Sequence, residues 1–194
     1  MAKLDTLCVY CGSSPGAAQA YTAIAQELGR RCAESGVGVV YGGGTVGLMG
    51  QVADAAVTAG GTVTGIIPRH LMSREVGEQA DSELVVVDNM HARKQAMFER
   101  SDAFCSLPGG IGTLDETIEI LTWKQLGLHD KPVVLIDHDG FWQPLFDLFA
   151  HQQAAGFLKP DHVELFEVVP DIDGLFRAIA EHPEPTRPDR PEWT

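Results

Sequence analysis

The stretch Ala103-Phe-Cys-Ser-Leu-Pro-Gly-Gly-Ile-Gly-Thr-Leu-Asp-Glu116 joins a short apolar run to a glycine-rich turn and then to a segment with helical spacing. This order of strand, turn and helix is typical of α/β proteins. Similar units recur along the chain, and their apolar runs are hydrophobic on both faces. The sequence therefore predicts a mainly parallel sheet with helices on both sides. Ligands of such sheets bind at the carboxyl ends of the strands.

Strands and helices are expected to alternate along the chain. Seven runs are predicted to be strands: Leu4–Tyr10, Val37–Tyr41, Thr62–Ile67, Leu84–Val87, Ala103–Leu107, Pro132–Ile136 and Val163–Val169. Six segments are predicted to be helices: Ala20–Ser35, Leu48–Ala59, Met90–Arg100, Thr113–Leu126, Phe141–Ala155 and Ile172–Glu181. No Gly/Ser linker divides them, so residues 1–181 are predicted to form one domain. The proline-rich segment 182–194 is expected to be a disordered tail.

The composition excludes several classes of partner. The chain has 27 acidic and 14 basic residues and a net charge of -13, whereas nucleic-acid binding needs clustered Lys and Arg. It contains neither a membrane-span-length apolar run nor a signal-peptide core, so no membrane contact and a cytoplasmic location are expected. The four cysteines are expected to be reduced. Cys8 and Cys11 would face opposite sides of a strand, which argues against a redox or metal site.

Three predicted strands end in glycine-rich turns: Cys11–Ser14, Gly42–Gly47 and Pro108–Thr113. Glycine lets backbone N–H groups approach an anion closely, and a following helix adds its positive end, so such turns suit phosphate. The second turn matches G-x-G-x-x-G, but no acid follows the next strand to bind a ribose. Tight packing of strand against helix explains that match equally well. Possible additional nucleotide-site residues in the first two turns are Gly12, Ser13, Gly43 and Gly44.

The third turn is the most specific feature, because a carboxylate, Glu116, follows it by one helical turn. The alternative to a phosphate site is a capping box, with Thr113 as N-cap and Glu116 bonding back to it. Capping alone would not require glycine at positions 109, 110 and 112.

Two cations of the helix Met90–Arg100 lie at the borders of its apolar stripe. Solvated cations belong opposite that stripe, so the positions of Arg93 and Lys94 indicate a buried phosphate or carboxylate partner. The alternative is that both side chains extend past the stripe and keep their charged groups in water.

The helix Thr113–Leu126 has two apolar faces. Leu114, Ile118 and Leu121 form one stripe, while Ile120 and Trp123 point elsewhere. The second face predicts either a subunit interface or burial under C-terminal segments of the same chain.

Taken together, three motifs resemble one family. Pro108-Gly-Gly-x-Gly-Thr-x-x-Glu116, Tyr41-Gly-Gly-Gly-x-x-Gly-Leu-Met-Gly50 and Met90-x-x-Arg-Lys94 match the LOG family of cytokinin riboside 5'-monophosphate phosphoribohydrolases in order and spacing. The resemblance implies a Rossmann-like nucleotide-binding domain and a homodimer. It also implies hydrolysis of N6-modified adenosine monophosphates, or of AMP, to free base and ribose 5-phosphate, a cytokinin-activating step. Members of the family are often labelled lysine decarboxylases.

The resemblance assigns catalysis to Arg93 and Glu116. The substrate-binding residues it implies are Glu75, Lys94, Gly109, Gly110, Ile111, Gly112, Thr113, Leu114, Asp115 and Thr122, with Met90 as an additional candidate. In the resulting hypothesis the loop amides hold the 5'-phosphate, Glu116 positions water beside the anomeric carbon, and Arg93 keeps Glu116 ionised. No metal or cofactor is expected.

Two rival functions remain at this stage. A non-enzymatic nucleotide or cofactor carrier would share the fold and its glycine turns. A decarboxylase would need a lysine that forms a Schiff base with pyridoxal phosphate, and none of Lys3, Lys94, Lys124, Lys131 and Lys159 has a recognisable cofactor setting.

Overall fold

A computed structural model describes residues 4–72 and 83–183 of the chain. The strands are β1 (Thr6–Tyr10), β2 (Gly38–Tyr41), β3 (Val63–Pro68), β4 (Glu83–Val87), β5 (Ala103–Ser106), β6 (Val133–Ile136) and β7 (Glu167–Val169). The α-helices of the described residues are α1 (Gln19–Glu34), α2 (Gly47–Thr58), α3 (Met90–Glu99), α4 (Ile111–Gln125), α5 (Gln143–Ala154) and α6 (Ile172–Glu181). In the described part of the chain, no helix has the length and apolar character needed to cross a membrane.

All strand pairs are parallel, and the strands form one sheet in the order β4-β3-β2-β1-β5-β6-β7. The α/β fold and each predicted strand and helix are therefore confirmed. The last predicted strand, Val163–Val169, is too long, because Pro160–Glu164 form a 3-10 turn before β7. The predicted disordered tail lies outside the described residues from position 184 onward.

Helices cover both faces of the sheet, as expected. Leu28 of α1, Val52 of α2 and Leu175 of α6 pack on one face. Phe98 of α3 and Ile120 of α4 pack on the other. Each face is a continuous apolar layer, because successive side chains of a buried strand point to opposite sides.

The cysteines follow the same alternation. All four are free and buried. Cys8 belongs to the core under α3 and α4, whereas Cys11, Cys32 and Cys105 belong to the core under α1 and α2. The predicted placement of Cys8 and Cys11 on opposite sides is confirmed.

The direction of strand addition reverses at β1, which pairs with β2 on one side and β5 on the other. This reversal opens a crevice at the carboxyl ends of β1 and β5. Hydrogen bonds tie the three glycine turns together there. The Gly12 N–H donates to the Pro108 carbonyl at 3.1 Å, and the Leu48 N–H donates to the Gly12 carbonyl at 2.9 Å.

The alternative that Ile120 lies in a subunit interface is wrong. Ile120 is 1% exposed, and the Trp123 ring packs edge-on against Phe98 with centroids 5.3 Å apart. The outward face of α4 carries Ile118 and Leu114 instead, beside α5. The sequence correctly indicated two apolar faces but reversed their assignment.

A buried His–Lys pair fastens the segment after α4 to the ends of α3 and α4. The His129 Nδ1 atom accepts the Lys131 N–H at 3.2 Å, so Nε2 carries the proton and donates to the Ile120 carbonyl at 3.0 Å. The Lys131 ammonium donates to the carbonyls of Phe98 at 3.0 Å and Ser101 at 2.8 Å. Burial lowers the pKa of His129 to about 4.

This low pKa predicts an acid-sensitive fold. Between pH 6.5 and 4 the unfolded chain binds a proton at His129 that the folded chain does not. The free energy of unfolding therefore decreases by about 3 kcal/mol as the pH is lowered from 6.5 to 4. His129→Gln keeps an N–H donor but does not titrate, and it should flatten that part of the profile. Urea unfolding measured from pH 4 to 8 tests this, with His91→Gln on the exposed side of α3 as the control. Equal slopes for wild type and His129→Gln would contradict the assignment.

Candidate active site

The amino end of α4 presents backbone donors that the helix itself does not use. Gly110 is the N-cap, with extended backbone (φ -97°, ψ -153°) and no side chain to offer. The Leu114 N–H donates to the Gly110 carbonyl at 3.0 Å. The N–H groups of the three preceding residues, Ile111, Gly112 and Thr113, have no acceptor within the helix by its geometry. They lie at the positive end of the helix dipole, an arrangement that suits an anion.

The capping-box alternative is wrong. It requires Thr113 to be the N-cap, but α4 begins two residues earlier, at Ile111. Thr113 is instead buried in the first turn, where its carbonyl accepts the Thr117 hydroxyl at 2.7 Å.

The three glycines of this turn are present for different structural reasons. A Cβ on Gly109 would lie 2.1 Å from Thr113 Oγ1, so packing within the protein excludes a larger residue there. A Cβ on Gly110 or Gly112 would meet no atom within 4 Å, and neither residue has a positive φ. Because no contact or φ among the described residues requires glycine at these two positions, their small size fits the close approach of a ligand.

Glu116 and Arg93 line the same cavity, which has a volume of about 200 Å³. The turn residues on its wall are Gly110, Ile111, Gly112 and Thr113, and the remaining lining residues are Cys11, Ser13 and Met49. A second cavity of about 260 Å³ shares Ser13 and Gly110 with the first and also contacts Gly12 and Gly109. The structure thus brings most of the predicted turn residues and both predicted catalytic residues to one place.

Glu116 is partly buried, and its carboxyl group is not held fully ionised. Burial raises the pKa of Glu116 to about 7, and the opposing effect of Arg93 is smaller. The expectation that Arg93 keeps this carboxylate ionised is therefore only partly correct. Near neutral pH the group exists in both protonation states, which suits a residue that exchanges protons.

Arg93 is 6% exposed and points into the fold, so the alternative of a solvated guanidinium is wrong for this residue. Its Nη2 donates to the Gly42 carbonyl at 2.9 Å, and its Nη1 lies 3.9 Å from Met90 Sδ. Its Nε is buried and has no hydrogen-bond partner among the described residues. The Nε–H group of the guanidinium is therefore available to donate a hydrogen bond to a ligand.

Lys94 has a different environment. Its ammonium forms ion pairs with Asp115 at 3.1 Å and Glu119 at 3.0 Å, and its side chain is 11% exposed. Lys94 therefore has the carboxylate partners that its position indicated, but they belong to α4, link that helix to α3, and include the exposed Asp115. It does not line the cavity that contains Glu116.

The other predicted residues lie farther from this cavity or cannot be placed. Leu114 and Thr122 line an apolar groove between α4 and α5. Gly43 has a φ of 75°, and a Cβ there would lie 3.2 Å from Ile67, so its glycine is explained by packing. Gly44 is buried beside it. Glu75 lies outside the described residues.

Sequence reasoning missed two lining residues. Cys11 immediately follows β1, and Met49 lies in the first turn of α2. Both adjoin glycine turns, but an apolar residue at such a position carries no chemical signal of its own.

Comparison with known proteins adds a family and several relatives. Residues 49–179 match the family model described as "possible lysine decarboxylase". The chain is 45% identical over 180 residues to a protein from Oryza sativa subsp. japonica named a probable cytokinin riboside 5'-monophosphate phosphoribohydrolase, covering 93% of this chain and 79% of that one. It is 44% identical to the cytokinin riboside 5'-monophosphate phosphoribohydrolase of Rhodococcoides fascians, covering 88% and 87%.

Solved structures support the fold. The molybdenum cofactor binding protein from Rippkaea orientalis superposes with a TM-score of 0.68 at 23% identity, over 92% of this chain and 96% of that one. The molybdenum cofactor carrier protein from Chlamydomonas reinhardtii gives 0.67 at 24% identity, over 92% and 98%. At these identities the likeness concerns architecture alone.

The raised pKa of Glu116 predicts that its ionisation costs stability. The folded chain binds more protons than the unfolded chain between pH 4.5 and 7, so stability falls as pH rises through that range. Glu116→Gln does not ionise and should be about 3 kcal/mol more stable than wild type at pH 8, with little difference at pH 4. Urea unfolding at both pH values measures this. The exposed Glu99→Gln on α3 is the control, and a Glu116→Gln variant with no pH-dependent gain would refute the burial argument.

Proposed function

We propose that this chain, which belongs to the family of possible lysine decarboxylases that includes the cytokinin riboside 5'-monophosphate phosphoribohydrolases, hydrolyses the N-glycosidic bond of adenosine 5'-monophosphates. The substrate is AMP or an N6-modified form of it, and the products are the free base and ribose 5-phosphate. The observation that carries the proposal is the cavity in which Glu116 lies one helical turn from three amides that have no acceptor within the helix.

The amides of Ile111, Gly112 and Thr113 bind the 5'-phosphate in this proposal. A phosphate held at the amino end of α4 fixes the distance from its ribose to Glu116, since Glu116 follows on the same rigid helix. Remote binding energy from the phosphate then orients the reacting carbon. A nucleoside lacks this group and should react poorly.

Glu116 carries the chemistry. Cleavage of the bond between ribose and base generates a sugar with oxocarbenium character, which a carboxylate stabilises while it directs a water molecule. A pKa of about 7 lets Glu116 accept a proton from that water and release it afterwards. Arg93 is the cation of the same cavity and opposes part of the burial effect on Glu116.

The family description of a lysine decarboxylase fits the site less well. That chemistry requires a lysine free to form a Schiff base. No lysine lines the Glu116 cavity among the described residues. The ammonium of Lys131 is bound by two backbone carbonyls, and that of Lys94 by two carboxylates.

A homodimer remains part of the proposal, although the interface first expected is buried within the chain. Exposed apolar side chains on the outer faces of α4 and α5, including Ile118 and Leu148, flank an apolar groove of about 360 Å³. This surface is the one we assign to a second copy.

The decisive experiment measures base released from AMP, adenosine and an N6-prenylated AMP by chromatography. Wild type should release base from the nucleotides and little from adenosine. Glu116→Gln should lose at least about 100-fold in turnover while still binding AMP, because general acid–base catalysis typically contributes that much. Glu99→Gln, exposed at the end of α3, should retain wild-type activity.

The outcomes separate the candidate functions. A carrier would bind AMP and return it intact. A decarboxylase would release carbon dioxide from lysine only when loaded with pyridoxal phosphate. Unchanged hydrolysis by Glu116→Gln would remove the assigned role of that residue.

The turn glycines supply a separate test of phosphate binding. Gly112→Ala adds a Cβ into space that the protein leaves empty, so thermal unfolding should shift by no more than a few degrees. The same methyl group lies where the phosphate must approach, so KM for AMP should rise by about tenfold or more. Steady-state kinetics with AMP measures this change. An unaltered KM would show that the phosphate binds elsewhere.

A further inference from the structure

We propose that Gly42 is a positioning residue, whose carbonyl oxygen holds the guanidinium of Arg93 and whose missing side chain leaves the space that this guanidinium occupies. The proposal rests on the function assigned above to Arg93. It also gives the turn Gly42–Gly47 a different role from the one that its G-x-G-x-x-G spacing suggests.

The distances leave no room for a side chain at this position while the Arg93 guanidinium keeps its place. A Cβ on Gly42 would lie 1.9 Å from Arg93 Nη2 and 3.0 Å from Arg93 Cζ. Gly42 does not have a positive φ, so its φ alone does not require glycine. What excludes a side chain at Gly42 is the buried guanidinium, with Met49 Sδ at 3.2 Å as the next neighbour.

The same contact is the strongest one that Arg93 makes in the described part of the chain. Nη2 donates to the Gly42 carbonyl at 2.9 Å, Nη1 has only the weak acceptor Met90 Sδ, and Nε has no partner there. A buried charge is costly unless it is bonded. Displacing Nη2 from Gly42 would therefore shift the guanidinium within the cavity rather than leave it in place.

Other glycines of this motif have explanations that do not involve Arg93. A Cβ on Gly47, where φ is 64°, would lie 2.3 Å from the Ser13 backbone, and one on Gly50 would lie 2.3 Å from the Thr45 carbonyl. These contacts pack the turn against its neighbours. Gly42 differs because the atom in its way belongs to a residue of the proposed reaction.

A shift of Arg93 has a measurable electrostatic consequence. The charged groups that change the pKa of Glu116 are Arg93 and Lys94 from α3, which lower it, and Asp115 and Glu119 from α4, which raise it. Cys8, Tyr10 and Cys11, from β1 and its end, also face Glu116, and its carboxylate raises the pKa of each of these three groups. Burial outweighs the charges, and Arg93 is the largest effect that lowers the pKa of Glu116. Moving Arg93 away should raise that pKa and move the acid limb of the activity profile to higher pH.

The test is a double-mutant cycle of Gly42→Ala and Arg93→Ala, with Gly38→Ala as the control at the other end of β2. A Cβ on Gly38 would meet chiefly the side-chain oxygen of exposed Thr62, at 2.9 Å. Each variant is measured for kcat and KM with AMP across pH 5 to 9, and for Tm.

In the wild-type background, Gly42→Ala should lower kcat by about 100-fold, with a smaller change in KM, and move the acid limb upward. In the Arg93→Ala background the same substitution should change kcat by less than about twofold and should cost less Tm. Gly38→Ala should keep wild-type kinetics and pH profile.

Additive losses in kcat, or an acid limb that stays in place, would overturn the proposal. The Tm cycle needs no turnover, so it judges the Gly42–Arg93 contact even if wild type releases no base from any nucleotide. Absence of base release by the wild-type protein would refute the proposed function and not the Gly42–Arg93 contact. If Gly42→Ala fails to fold only when Arg93 is present, the contact is supported; if it fails in both backgrounds, the backbone requires the glycine and the proposal is wrong.

Discussion

Val9 and Tyr10 pair in register with Cys105 and Ser106 in the middle of the sheet, and the chain leaves these two strands toward opposite faces. Any loop at the end of either strand must therefore border the same crevice. The hydrogen bond from Gly12 to the Pro108 carbonyl closes one side of that crevice, and α4 starts from the other with three amides that have no acceptor within the helix. The proposed phosphate binding, the placement of Glu116 and the entry of Arg93 all depend on this pairing.

Burial and neighbouring charge have opposite effects on the pKa of Glu116. Burial raises the pKa of Glu116 toward neutrality, and Arg93 limits that rise without cancelling it. A fully solvated carboxylate would be ionised at neutral pH but a weak proton acceptor, whereas a deeply buried one without a cation would stay protonated. The same compromise costs stability when the group ionises, which is a common property of active sites.

The sequence was sufficient for the architecture because strand and helix periods are local patterns, and all seven strands follow from them. Predictions from the sequence were wrong where a feature depends on contacts between residues far apart in the chain. The start of α4 was misplaced because three glycines carry no helix signal, and the faces of α4 were reversed because both are apolar. Arg93 and Lys94 looked equivalent on their helix, yet only the position of α4 directs Lys94 to Asp115 and Glu119.

Glycine has three distinct physical roles in this site, and only the structure separates them. Gly47 is required by a positive φ and by the backbone of Ser13. A Cβ on Gly110 or Gly112 would meet no atom of the described residues within 4 Å, which leaves space for a ligand. Gly42 is required by a side chain 51 residues away. The spacing of a glycine motif does not distinguish these roles. The pattern G-x-G-x-x-G therefore predicts a nucleotide-binding loop even where its first glycine contacts an arginine. Among the described turns, Gly110–Thr113 is the one whose glycines packing explains least, and the proposed phosphate accounts for their small size.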